Sequence, residues 1–305
     1  MDLRQLKYFV AIAEARNLVA AARTLALSQP ALTKAIHALE QDCGAKLFER
    51  RSRGVVLTPV GEALSIRARL ILSEVDRTRS ELKALDNGQG GEIHIGALRS
   101  VANARLPDAA IEFSIARPSV TLNIEVDQNA TLIRGLTRGR FDFIIGVGEG
   151  DLDRLNLDYE PLWSDRLVIV SRVGHPIEHL RRRPGAADFA RQSWIMPDTT
   201  TAYRRRLEDF FFSSGVEPPS PAVVCGQLQF IRAMLLKSDH LALLPSDSIE
   251  FELNAGLLKA HAVHSDFLSR PIGLITRRDH VLTRASQEFL PILRATRGLR
   301  AMPVQ

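Results

Sequence analysis

The chain has 305 residues, 45% of them hydrophobic and 25% charged, with a formal net charge of +5 and two cysteines. That length exceeds one ordinary core and points to two or three domains, and the composition is that of a soluble globular protein rather than a disordered or fibrous one. Apolar runs such as FIIGV and HLALLP are far too short to span a bilayer, MDLRQLKYF has no apolar export core before its first charges, and Cys43 and Cys225 cannot build a disulfide framework, so a cytoplasmic protein is expected.

The positive charge is unevenly placed. Through Gly61, nine Lys and Arg residues stand against five acids, which accounts for +4 of the +5. Confinement of the surplus to one end suits a polyanionic partner better than its size does. In this region Leu3, Leu6, Phe9, Val10 and Ala13 have helical spacing, which predicts a first helix over residues 3–14. A second is predicted over residues 18–25, with Asn17 as N-cap and small side chains at Ala20, Ala21 and Ala22 that allow close helix packing. Ser28 can cap a third helix, whose first turn tolerates Pro30. That helix is expected to bury Ala31, Ile36 and Leu39 and to expose Gln29, Thr33, Lys34 and His37. Two short helices joined by a tight turn make a helix-turn-helix, whose second helix enters the DNA major groove. KLFERRSRGVVLT then reads as two short strands around Gly54, a basic wing beside the reading helix.

Thr58-Pro59 is an N-cap followed by a first-turn proline, and a long helix is predicted from there to about Leu85. Leu64, Ala68, Ile71, Val75, Thr78, Leu82 and Leu85 alternate by four and three, a coiled-coil seam that wants a second copy of itself. DNGQGG, residues 86–91, stops the helix and forms a hinge. From Glu92 the rhythm changes to alternation. EIHIGAL, TLNIEVD, FDFIIGVG, RLVIVS, SWIMP, AVVCG, LALLP and PIGLIT read as strands; residues 105–116, 129–139, 202–213, 228–237 and 281–295 read as helices. Such alternation means βαβ units and mainly parallel sheets. The predicted class is therefore α/β with an all-α-rich N-terminal part: a winged helix-turn-helix at 1–58, a dimerising linker helix and hinge at 59–90, and a two-subdomain module at 91–305. Within the last, subdomain I covers about 91–162 and 267–305, and subdomain II about 163–266.

SQPALTKAI, then LE, LFER and LTPVG, set within residues 3–62, resembles the LysR-type transcriptional regulators, and the resemblance extends more loosely over the whole chain. It implies a DNA-binding domain, a dimerising linker helix and an effector domain like a periplasmic binding protein. It further implies double-stranded promoter DNA as partner and assembly as a dimer of dimers. A small-molecule inducer in the cleft would change how promoter DNA is bent, with RNA polymerase as a further partner. The family often carries Ser or Thr where Val19 stands and Arg where Lys34 and His37 stand. Lys cannot make the planar two-point bond of Arg, so operator contacts there are expected to differ from those of relatives. GALRSVANARLP is similar to regulators of aromatic-acid or sugar catabolism.

Two sets of site residues follow. For DNA, Gln29, Pro30, Thr33 and Lys34 are assigned to the groove-facing side of the third helix, and Arg50, Arg51 and Arg53 to the backbone-clamping wing. The bland alternative is a solvated basic face, which the helix-turn-helix context disfavours. Effector contacts are expected just after strand ends, where ligands sit in open α/β sheets. Those positions are Arg99, Ser100, Gln128, Asn129, Thr131, Gly146, Val147, Asp198, Thr199, Thr200, Gln227 and Pro245. Arg99 can pair two-pronged with a carboxylate, so the expected inducer is a small organic anion. The competing reading is that these residues only cap helices and turns.

Sharper motifs fail. GVGEG at 146–150 has its third Gly one residue early for a dinucleotide loop, and GxSxG, HExxH and CxxC are absent from the sequence. No cofactor or metal is expected. His261 and His264 read as a pair in a surface or strand-edge role, Cys43 and Cys225 as small buried hydrophobes, and Trp163 and Trp194 as core or hinge packing. An α/β enzyme with a basic appendage lacks a catalytic constellation, and a purely structural DNA-binding protein leaves the two subdomains without a role.

Overall fold

The computed structural model describes residues 1–51, 54–87, 90–148, 150–261, 263, 268–278 and 280–296. Its first unit contains α1 (Leu3–Ala15), α2 (Leu18–Thr24), α3 (Gln29–Cys43), β1 (Phe48–Arg51) and β2 (Gly54–Leu57). Local chemistry sets these boundaries. Asp2 and Gln5 form a capping box at α1, and Arg16 ends that helix with φ 51°. The Asn17 carboxamide accepts from the Val19 and Ala20 amides, and Ser28 Oγ accepts from the Ala31 amide. Leu6, Phe9, Ile12, Ala21, Ala22, Leu32, Ile36, Leu39, Leu47 and Val55 form the core. Ala31, expected inside, is exposed, and Leu32 takes its place. The side chain covers the turn behind its own Cα, so a phase error of one residue swaps the two. Gly54 has φ 128°, and a Cβ there would lie 2.3 Å from the Arg16 carbonyl oxygen, so only glycine lets the wing approach the end of α1.

α4 (Pro59–Asn87) follows, with Thr58 Oγ1 accepting from the Gly61 amide as its cap. The predicted seam divides in two. Leu64 and Ala68 pack into the core of the first unit, joined there by Leu72, which the seam did not include. Further along, Ile71, Thr78 and Leu82 face outward, Leu82 at 61% exposure, with Val75 half-buried between them. The side chain of Leu85 lies outside the described residues.

The remainder comprises β3 (Glu92–Leu98), α5 (Arg99–Ala102), α6 (Arg105–Ala116), β4 (Thr121–Asp127), α7 (Asn129–Thr137), β5 (Phe143–Gly146) and β6 (Leu157–Arg172). These are followed by α8 (Ala186–Ala190), β7 (Ser193–Met196), α9 (Ala202–Ser213), β8 (Val223–Val224), α10 (Leu228–Leu235) and β9 (His240–Pro245). The last elements are α11 (Glu250–Asn254), β10 (Leu258–His261), β11 (Ser269–Arg277) and α12 (Arg284–Ala295). The strand order is β4-β3-β5-β11-β6-β9-β7-β8, with β10 on the side of β6.

The expectation of mainly parallel sheets holds only within each half. β3 runs parallel to β4 and β5, and β7 parallel to β8 and β9. β11 and β6 are antiparallel to each other and to their outer neighbours, because they carry the chain between the halves. β6 is one 16-residue strand, longer than the RLVIVS segment read from sequence. It pairs with β11 through Arg166 and with β9 from Leu167, so its partner changes within the one strand, a few residues past the expected boundary near 162/163. Beyond the crossing its side chains alternate between two cores. Leu167 and Ile169 meet Trp194 and Phe211, whereas Val168 and Val170 meet Ile231 and Leu235. Subdomain I has its own core around Ile95, Phe113, Phe143 and Phe289.

Candidate functional site

On α3, Gln29, Pro30 and Lys34 are exposed and Thr33 is half-buried. Thr33 and His37 share the wall of a depression of about 220 Å³ with Lys46 and Arg50, which places the wing directly beside the reading helix. Arg50 and Arg51 alternate on β1, so they point to opposite faces of the wing. Arg51 Nη2 donates to Glu49 Oε2 at 2.8 Å. Arg53 lies outside the described residues. Behind this face the buried carboxylate of Glu40 accepts from Lys46 Nζ at 2.7 Å and from the Leu47 amide at 2.9 Å. Burial works to raise its pKa, but these donors outweigh it and hold the carboxyl below its ordinary value. This contact fastens the wing to α3, and its residues carry no local signal that singles them out in the sequence.

The second site lies where the carboxyl ends of β3, β4, β5, β7 and β9 converge. Arg99 opens α5 and donates from Nη1 to Oε1 of Gln227, the N-cap residue of α10, at 2.5 Å. Two residues expected from sequence therefore meet across the subdomains. Asn129 exchanges two hydrogen bonds with the Val147 backbone, at 2.9 and 3.0 Å. Gly146 has no room for a Cβ, which would sit 2.5 Å from Asn129 Oδ1. Gln128 is exposed at the same end of α7. Asp198 Oδ1 accepts from the amide and hydroxyl of Thr200, which lowers its pKa; Thr199 is exposed beside them. Pro245 is buried at the end of β9, opposite Leu167. Thr131 departs from the expectation: it lines a groove that borders the amino ends of the subdomain I strands. Its position on α7 turns it away from Asn129, because residues two apart on a helix lie on nearly opposite sides of its axis.

Ser100 is buried and receives a hydrogen bond from Arg270 Nη2 at 2.8 Å. The same guanidinium holds Asp165 Oδ2 at 2.7 and 3.1 Å and donates to the Tyr203 hydroxyl at 2.6 Å, with its carbon 4.6 Å from the Tyr203 ring centroid. Burial raises the Asp165 pKa and Arg270 opposes it; Asp165 Oδ1 has no hydrogen-bond partner among the described residues. Arg105 adds a second bridge, to Asp247 at 3.3 Å, while stacking 4.8 Å from the Trp163 ring. None of Arg105, Asp165, Tyr203, Asp247 and Arg270 was expected. Their one signal in the sequence is a charge set directly against an apolar strand run, as in SDRLVIV and SRPIGLI, since such a charge must find a partner.

Trp194 is fully buried and donates to the Phe189 carbonyl at 2.8 Å. His261 is buried on β10 with its Nε2 2.8 Å from Ser171 Oγ, and His264 lies outside the described residues. Cys43 and Cys225 are free thiols, half-buried rather than buried as expected.

Residues 3–62 match the family profile described as "Bacterial regulatory helix-turn-helix protein, lysR family", and residues 86–298 match "LysR substrate binding domain". The chain is 30% identical over 291 residues to the HTH-type transcriptional regulator GalR of Pseudomonas putida, covering 95% of this chain and 73% of that protein. It is 30% identical over 295 residues to the HTH-type transcriptional regulator GbpR of Azospirillum brasilense, covering 97% and 86%. Among solved structures, full-length OxyR of Pseudomonas aeruginosa superposes with a TM-score of 0.71 at 21% identity, covering 99% of each chain. CbnR, a LysR family regulator solved in complex with its target DNA, superposes with a TM-score of 0.66 at 22% identity, covering 97% of this chain and 100% of that one.

Proposed function

The chain belongs to the LysR family of transcriptional regulators, and from that premise we propose that its cleft takes a small organic anion whose binding changes the grip on promoter DNA. The protein has the DNA-binding helix-turn-helix and the effector-binding domain of that family. The observation that carries the anion reading is the Arg99–Gln227 contact. A guanidinium with five donors spends one on a neutral amide, and a ligand carboxylate would take two of them in a fork. Gln128, Thr199 and Thr200 offer an amide and hydroxyls at the same strand ends, Asp198 and Asn129 brace the turns beside them, and Gly146, Val147 and Pro245 supply a backbone wall.

For DNA, Gln29, Thr33 and Lys34 would read base edges while Arg50 and Arg51 clamp phosphates. Two copies would pair along the outward strip of α4 formed by Ile71, Val75, Thr78 and Leu82, and two such dimers would make a tetramer. The protein would act in the cytoplasm with RNA polymerase as a further partner, and without catalysis. No helix among the described residues is long and apolar enough to cross a membrane.

The test is a gel shift with the DNA upstream of its own gene, with and without a panel of carboxylates and neutral metabolites. A shift altered by carboxylates supports the reading. A response to neutral ligands alone rejects the anion, and turnover of any ligand rejects the non-enzymatic assignment.

A further inference from the structure

We propose that Arg77 is a positioning residue for DNA bending: it seats the linker helix α4 on the carboxyl-terminal turn of α7, and α7 links that seat to the effector cleft. This rests on the reading of the cleft given above. α7 is nine residues long, or about 13 Å, and both of its ends are fastened. At the cleft end, Asn129 is locked to the Val147 backbone by its two hydrogen bonds. At the other end, the carbonyl of Gly139 accepts from Ser73 Oγ at 2.6 Å and from Arg77 Nη2 at 3.1 Å. Gly139 has φ 77°, and a Cβ there would stand 2.9 Å from both Cβ and Oγ of Ser73, so the turn lies directly on the linker helix.

Arg77 is the centre of this seat. Its Nη2 is 3.2 Å from Asp142 Oδ1, and its Nη1 donates to His280 Nε2 at 3.0 Å. The Arg77 side chain is 11% exposed, that of Asp142 1% and that of His280 6%. The other carboxylate oxygen of Asp142 accepts from the His94 amide at 2.6 Å, and Arg277 donates to the Leu136 and Phe141 carbonyls. The carbonyls around the end of α7 are thus held by guanidinium groups, one of them from the linker. Taking Arg77 out of such a buried set strands the Asp142 charge, so the contact is costly to break.

Beside it, α4 and subdomain I stand apart across a groove of about 1,030 Å³, with Leu72, Asp76 and Ser80 on one wall and Gly91, Arg117 and Arg284 among the residues of the other. A helix held at one buried point next to open space can tilt about that point. A tilt of α4 moves the attached reading helices relative to each other in a dimer, and so changes the bend of DNA that spans two half-sites.

The experiment measures the bend angle on circularly permuted fragments carrying the operator, with full-length protein and no ligand. Arg77→Ala and Ser73→Ala should shift the bend angle while leaving affinity for a single half-site unchanged, and Arg77→Lys should fall between wild type and Arg77→Ala. Asn129→Ala, at the far end of α7, should also shift the bend angle, and that shift should disappear in the Arg77→Ala background. Arg79→Ala, an exposed change on the same helix, should leave the angle as it is. An unchanged angle in both Ser73→Ala and Arg77→Lys overturns the proposal even if Arg77→Ala does not fold. So does an Asn129→Ala shift that persists in full without Arg77. Because no ligand is present, failure of every small molecule to bind the cleft would reject the effector reading and leave this result standing.

Discussion

Arg99 and Gln227, 128 positions apart in the chain, are joined by a 2.5 Å hydrogen bond that ties the start of α5 to the N-cap of α10. A ligand carboxylate can take two of the donors that Gln227 leaves on the guanidinium. Arg99→Ala is therefore expected to weaken binding of organic anions by about 1.5–3 kcal/mol, the range for hydrogen bonds to charged groups. Gln227→Ala, which removes a competing acceptor from the guanidinium, should leave it unchanged or tighten it. Calorimetric titration of both variants checks the order; equal losses for carboxylates and their neutral amides would remove Arg99 from the site.

Lys34→Ala is expected to weaken operator binding by about 1–3 kcal/mol if it reads a guanine edge. Fold and assembly should be untouched, because Lys34 is exposed on α3. Fluorescence anisotropy on operator and scrambled duplexes separates the possibilities. A loss confined to the operator marks base reading, an equal loss on both marks a phosphate contact, and no loss excludes Lys34.

Arg50→Ala should lower the slope of log affinity against log salt by about one unit, as expected when one phosphate is no longer neutralised by the protein. Arg51→Ala should lower it less, because Arg51 is already paired with Glu49. Salt titrations that leave the slope of both variants at the wild-type value would take the wing off the DNA.

His261 and His280 are buried, and burial first of all pushes the pKa of each down to about 4 from the ordinary 6.5. Between those values the unfolded chain holds more protons than the folded one. Stability of the effector domain is therefore complete above pH of about 6.5 and falls as pH drops toward about 4. Each histidine contributes a slope of up to about 1.4 kcal/mol per pH unit. Urea unfolding of wild type and His261→Gln at neutral and mildly acidic pH measures it; an identical pH dependence in the two proteins would show that His261 is not the cause.

Leu82→Asp is expected to dissociate the linker pair, and Thr78→Leu to tighten it, because both side chains face outward on α4. Sedimentation velocity reads the outcome; an assembly indifferent to both changes would place the dimer contact elsewhere.

Much of the DNA-binding end was legible because its signals are local. Asn17, Ser28 and Thr58 each cap the helix they were expected to cap, and a cap needs only a side-chain oxygen two or three residues before the amide it meets. That Arg99 and Gln227 stand at the same end of the sheet was also legible, since both follow strand ends. The linker seam was half legible: its heptad spacing is real, but Leu64 and Ala68 are claimed by the first unit's core and only the distal strip faces outward.

Other features were set by residues far apart in the chain. Arg270 finds Asp165 across 105 positions and Arg77 finds Gly139 across 62, and no periodicity within either segment announces its partner. The antiparallel course of β6 and β11 likewise follows from where the two halves must be joined. Local sequence determined which segments become helices or strands and where they stop, because those choices depend on caps, proline and side-chain spacing within a few residues. Tertiary structure alone decided which segments cover each apolar face and which charges are paired, because those choices depend on the surfaces that distant segments bring together.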